Sequence, residues 1–166
     1  MASAPETGSL LRTLAASKPS GRFLELGTGT GVATAWLLDG MDADARLDTV
    51  DNDPNASAIA QRYLGDDSRV IFHVVDGVAF LAGQKESHYD FIFADAWPGK
   101  FTDLAKTLSL LKHGGLYVVD DLLPQPNWPE GHAPKVPALV AQLEAQAGFE
   151  STSLEWASGL MLLVKR

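Results

Sequence analysis

The 166-residue chain contains no cysteine. Disulfides, thiolate nucleophiles, cysteine-ligated zinc and iron–sulfur clusters are therefore excluded together. A thiol-free chain fits a reducing compartment. Basic residues are also scarce, with 13 Lys and Arg against 21 Asp and Glu and a net charge of −8. A general nucleic-acid binder needs a cationic footprint to displace phosphate counterions, and this balance argues against one. The same sign disfavours docking on an anionic membrane surface. No apolar run approaches the ~20 residues of a spanning helix. The first residues lack the basic start and unbroken apolar stretch of a secretory leader. The expectation is a cytoplasmic protein with no nucleic-acid or membrane partner.

What is present is ordinary globular material, with 46% hydrophobic and 20% charged residues. The length suits one domain spanning residues 1–166, with 1–21 as an N-terminal helix or cover segment. Runs of β-formers at 23–26, 47–50, 70–75, 91–94 and 116–119 predict five strands. Between them lie helical patterns at 32–38 and from Pro54 to near Gly65, and a short one after Val78. A further helix through Leu104, Leu108 and Leu111 is expected to stop at Gly114-Gly115. Asp53-Pro54 is a strong helix start, an acidic cap before proline at the first helical position. Val136, Leu139, Val140 and Leu143 form another helical face. The last two runs, 149–156 and 160–164, flank Ser158-Gly159 and predict a hairpin. Repeated strand–helix units imply parallel strands covered on both faces. The expected fold is α/β: a Rossmann-like doubly wound, mostly parallel seven-stranded sheet with an antiparallel C-terminal edge, in a three-layer sandwich.

The informative pattern is where acids fall relative to strands. Glu25 ends the first strand, and Asp51 and Asp76 follow the second and third. Asp95 follows the fourth, and Asp120 with Asp121 closes the fifth. In a parallel sheet these carboxyl ends share one edge, where open α/β folds bind ligands. A single Asp at a strand tip is often only the cap of the next helix, which accounts for Asp53 and partly for Asp76. Five successive strands ending in acids point further, to a crevice suited to ribose hydroxyls, amino groups, a cationic centre or a divalent metal.

Glu25-Leu26-Gly27-Thr28-Gly29-Thr30-Gly31 joins the first strand to the first helix of this series. Glycines there allow a tight turn and close approach of a ligand. The dinucleotide fingerprint requires glycine where Val32 stands, and no Gly-Lys-Ser/Thr follows to make a P-loop. Asp51 lies near the ~20-residue offset at which an acid reaches ribose hydroxyls.

With FLELGTGTG, TVDNDP, VVDG, YDFIFADAW and LLKHGGLYVVDD, the chain resembles the class I S-adenosylmethionine-dependent methyltransferases from Arg22 to Lys165. The resemblance implies a cofactor loop at Gly27, Thr28, Gly29 and Gly31. It implies ribose contacts at Asp51 and the adjoining Asn52, and an adenine-side acid at Asp76 beside Gly77. Glu25 would support the loop and the ammonium end. A narrower similarity, to catechol- and caffeoyl-type O-methyltransferases, implies that Asp95, Asp120 and Asp121 hold a metal such as Mg²⁺. Here Asp121 replaces the asparagine of that pattern. Their lysine base falls three residues after the first metal aspartate, whereas Lys100 falls five after Asp95.

The expected activity is methyl transfer from S-adenosylmethionine to a small-molecule acceptor, at a hydroxyl oxygen. Asp95, Lys100 and His132 are its catalytic candidates, with Asp95 also beside the cofactor. Against the metal stands a reading in which Asp120 and Asp121 cap the following loop. Trp97 and Trp128 are candidates to line the acceptor pocket, against a reading of Trp128 as packing in a proline-rich connection. Two other functions compete: a nicotinamide-dependent oxidoreductase, which Val32 disfavours, and a non-catalytic cofactor-binding protein. The terminal hairpin and N-terminal helix are surfaces through which a homodimer would form.

Overall fold

The computed structural model describes residues 3–126 and 128–166. Helix α1 spans Pro5–Ala16, strand β1 Arg22–Leu26, α2 Val32–Gly40 and β2 Arg46–Asp51. They are followed by α3 Pro54–Leu64, β3 Val70–Val74, α4 Gly77–Ala82 and β4 Tyr89–Ala94. The chain continues through α5 Leu104–Ser109, β5 Leu111–Val119, a 3-10 turn at Ala133–Lys135 and α6 Val136–Glu144. Strands β6, Phe149–Leu154, and β7, Leu160–Lys165, complete it.

The seven strands form one sheet in the order β3-β2-β1-β4-β5-β7-β6. Pairs among β1 to β5 are parallel, whereas β7 runs antiparallel to both β5 and β6. This is the expected architecture, with its antiparallel edge. Strand order reverses between β1 and β4, which opens a crevice at their carboxyl ends.

Alternation along the strands divides the core in two. Phe23, Phe91, Phe93 and Val118 face Leu11 and Ala15 of α1 and Leu37 of α2. Leu24, Ile92, Tyr117 and Val119 face Leu81 of α4, Leu108 of α5 and Leu139 of α6. The N-terminal segment is helical, as expected, and packs closely on α2. A Cβ on Gly8 would lie 2.2 Å from Trp36, and one on Gly40 2.1 Å from the Arg12 carbonyl oxygen.

One expected boundary is wrong. Gly114-Gly115 does not end a helix, because α5 already stops at Ser109 and both glycines lie inside β5. Tyr89 pairs with Leu111 but Phe91 with Leu116, so four residues of β5 stand opposite one of β4 and the register slips by three. Gly114 takes a left-handed φ of 75° there. Lys18 and Lys165 donate to the carbonyls of Gly114 and Leu111, completing a bulge that sequence shows only as a glycine pair.

Candidate functional site

The glycine loop turns sharply from β1 into α2. Gly27 and Gly29 have φ of 107° and 51°. A Cβ on Gly27 would press at 3.0 Å on the Asp95 backbone, whereas Gly29 faces open space. Asp51 holds this loop: Oδ2 accepts from the Gly29 amide at 2.7 Å, and Oδ1 from that of Asp53 at 2.8 Å. Each carboxylate oxygen retains further acceptor capacity. A Cβ on Gly31 would lie 2.9 Å from that of Ala60 in α3.

Beside the loop lies a cavity of about 330 Å³, walled by Leu26, Gly27, Val50, Asp51, Asn52, Gly77, Ala96, Trp97 and Pro98. It has an apolar slot between Val50 and Pro98 and a polar end at Asp51 and Asn52. Gly77 belongs there because a Cβ would strike Pro98 at 2.8 Å. Asp76 is not part of the wall. It caps α4 by accepting from the Ala79 amide at 2.9 Å.

Glu25 departs from the expected rim. It is fully buried in β1, where Oε2 accepts from the hydroxyls of Thr34 and Thr49 at 2.6 and 2.5 Å. Thr49 in turn shares a 2.6 Å hydrogen bond with Thr28 of the glycine loop. Burial pushes the Glu25 carboxyl up to about 7, against the pull of both hydroxyls. Glutamate at the penultimate position of β1 points into the helix layer by strand alternation. Thr34 and Thr49 were missed because threonines in helix and strand carry no motif of their own.

Between the ends of β4 and β5 the chain gathers Asp95, Lys100, Asp120 and Asp121. Residues 97–102 form a tight turn in which the Trp97 carbonyl accepts from the amides of Lys100, Phe101 and Thr102. Gly99 within it has φ 84° and packs so closely that a Cβ would lie 2.2 Å from Leu26. The turn carries Lys100 inward, where it is only 2% exposed and donates to the Asp120 carbonyl at 2.5 Å. Burial, reinforced by Asp120 and Asp121, pushes Asp95 well above the usual carboxylate range. Burial likewise raises Asp120, and lowers Lys100 against the attraction of the three acids.

These acids do not fit a metal centre. Asp120 Oδ1 already accepts from the Ser158 hydroxyl and the Asp121 amide. The Lys100 ammonium rests on the Asp120 backbone carbonyl beside them. No group of three His, Asp or Glu among the described residues is arranged to hold an ion. The described residues do not present Asp95, Asp120 and Asp121 as a formed ligand set. Ser158 was visible in the sequence only as a hairpin turn residue.

A second cavity, of about 320 Å³, is bounded by Asp95, Ala96, Trp97, Lys100, Asp121, Pro129 and His132. Trp97 therefore faces both large cavities. His132 is in the wall but its Nε2–H donates to the Asp121 carbonyl at 3.1 Å, so that nitrogen cannot take a proton. It stacks at 4.5 Å on Trp128 and meets Phe101 edge-on at 5.0 Å. Trp128 thus lies behind His132 and lines neither large cavity. The aromatic residues of this loop pack on each other. Asp95 reaches further, bordering this cavity, the pocket under the glycine loop and a small one with Ser3, Ala4 and Gln125.

A model of the O-methyltransferase family matches residues 1–149. The chain belongs to that family. Over 122 residues it is 34% identical to the Mycobacterium tuberculosis protein named Probable O-methyltransferase Rv1220c, covering 69% of this chain and 54% of the relative. The chain thus spans about half the length of the curated relatives it matches. Two solved structures share the fold. The O-methyltransferase TomG of Streptomyces achromogenes, in complex with SAM, superposes with a TM-score of 0.84 at 24% identity, over 99% of this chain and 81% of that one. An O-methyltransferase of Bacillus cereus, in complex with SAH, gives 0.84 at 20% identity, over 98% and 82%. No helix among the described residues is long and apolar enough to cross a membrane.

Proposed function

We propose that this member of the family transfers a methyl group from S-adenosylmethionine to a hydroxyl oxygen of a small aromatic acceptor. The observation that carries the reading is the place of Asp95 and Trp97. Asp95 borders the glycine-loop pocket and the second cavity, and Trp97 borders the second cavity and the first. A donor in one compartment and an acceptor in the other would meet there.

The residues present fit the cofactor. The open face of Gly29 leaves backbone exposed to a ligand, and Asp51 with Asn52 offers acceptors to ribose hydroxyls. The slot between Val50 and Pro98 accepts a flat apolar ring. When bound, the cofactor supplies a methyl group on a positively charged sulfur, so the electrophile needs no further activation. The chain's work is alignment and charge. Trp97 and Pro129 would hold the acceptor ring. Lys100 would steady the hydroxyl oxygen as it becomes nucleophilic, and Asp95 would receive its proton, a task suited to a carboxyl of raised proton affinity. The C–S bond breaks as the O–C bond forms, and a neutral sulfide leaves.

Isothermal calorimetry with S-adenosylmethionine, S-adenosylhomocysteine and NADH tests the first half, with binding expected for the first two only. Release of S-adenosylhomocysteine across a panel of phenols tests the second. Binding of NADH alone would overturn the proposal.

A further inference from the structure

We propose that Tyr117, within β5, is a positioning residue: its hydroxyl fixes the 97–102 turn and so sets Trp97, Pro98 and Lys100 against the two large cavities. That these cavities hold a methyl donor and its acceptor rests on the proposed function. The hold of Tyr117 on the turn rests on the chain alone.

Tyr117 is fully buried. Its backbone pairs with Ile92 of β4 on one side and Leu163 of β7 on the other, so two strands fix where the ring starts. The ring packs in the layer that holds Leu81, Leu108 and Leu139. From there its hydroxyl donates to the Gly99 carbonyl at 2.8 Å.

The turn bonds largely to itself. The amides of Lys100, Phe101 and Thr102 converge on the Trp97 carbonyl, and the Gly99 amide donates to the Thr102 carbonyl at 2.8 Å. Such closed local bonding gives the turn its shape but not its place over the sheet. Close packing of Gly99 on Leu26 and of Pro98 on Gly77 limits how near it comes. Lys100 also reaches the Asp120 carbonyl, but through a flexible stem that would follow a shifted turn. The Tyr117 hydroxyl is the rigid link, because an aromatic ring held by packing has no freedom to follow. Gly99 is itself buried, so removing the hydroxyl would leave its carbonyl unpaired and favour movement of the turn toward water. Trp97 borders both cavities, Pro98 the first and Lys100 the second, so one shift displaces walls of both. In-line transfer between two bound groups is sensitive to such a shift, with about 1 Å worth about 100-fold in rate.

Tyr117→Phe tests this in the whole chain, since it fills the same space and removes one oxygen. The control is Tyr89→Phe, which strips a phenol hydroxyl from the amino end of β4, where it donates to Asp48 and Gln84 at 3.1 Å each. Amide hydrogen exchange followed by NMR should be about 10-fold faster at Lys100, Phe101 and Thr102 in Tyr117→Phe, and unchanged there in Tyr89→Phe. In Tyr117→Phe, kcat for a phenol should fall about 10- to 100-fold while S-adenosylhomocysteine affinity stays within about threefold, because Asp51 and Gly29 are untouched. Tyr89→Phe should keep the wild-type kcat. Unchanged exchange in the turn of Tyr117→Phe overturns the proposal, as does faster exchange spread evenly over the sheet. So does a kcat that is unmoved, or that falls equally in both variants. A wild type that methylates no phenol sinks the proposed function instead, and the exchange pattern then decides the hold on the turn by itself.

Discussion

Glu25 shows how one buried side chain ties a binding loop to the sheet. Its folded-state value of about 7 lies above the ordinary 4.5, so folding takes up a proton between those two values. The group's contribution to stability is therefore complete below about pH 4.5 and is lost as pH rises through about 7, by on the order of 3 kcal/mol. Chemical denaturation from pH 4 to 8 should show that fall, and Glu25→Gln, neutral throughout, should remove it. Asp51 acts at the same scale on the ligand side. One amide hydrogen bond, from Gly29, ties the glycine loop to the carboxylate, and one from Asp53 fixes the carboxylate itself. Asp51→Ala should weaken S-adenosylmethionine binding by roughly 10- to 100-fold, as expected for losing charge-assisted hydrogen bonds. Asp51→Asn should retain part of it. Calorimetry on the two variants checks both statements.

Among elements, the contact between α1 and α2 is the most exacting. Gly40 faces backbone, since its added Cβ would meet the Arg12 carbonyl oxygen at 2.1 Å, whereas the neighbour of Gly8 is a Trp36 side chain able to turn. Gly40→Ala should therefore destabilise by about 1–3 kcal/mol through a forced helix shift, and more than Gly8→Ala. Thermal melts of both variants would show the order. Because Ser3, just before α1, borders the pocket under the glycine loop with Gly27, Thr28 and Thr30, the Gly40 variant should also lose affinity for the cofactor. The β5 bulge is the other instructive element. A glycine pair after a leucine-rich run has the pattern of a helix stop, yet Leu110 and Leu111 are fully buried. Pairing with β4 captured the residues that helical periodicity had claimed.

Across the whole molecule, the sheet order brings the ends of β1, β2, β4 and β5 to one crevice in a chain of net charge −8. Such a field discriminates among acceptors by charge. For a phenol and its carboxylate-bearing analogue, kcat/KM should favour the neutral compound. The ratio should shrink as ionic strength rises from 0.01 to about 0.15 M, where the Debye length falls to about 8 Å. A ratio unmoved by salt would place the discrimination in shape instead.

Local chemistry was enough to read much of this protein. The cap of α3 is Asp53 accepting from the Asn55 and Ala56 amides, as its position before proline implied. Strand alternation, the glycine loop and the acid after each strand were likewise legible, because each depends on neighbours in the chain. The tertiary structure alone decided the rest, where distant segments compete for one space. It turned Glu25 inward onto two threonines, stacked Trp128 behind His132, and gave Asp120 to a serine of the final hairpin. It also buried Lys100 with its ammonium on the Asp120 carbonyl. Periodicity and spacing report which faces are apolar and where turns fall, but the partner of a buried charge is settled only when the layers close around it.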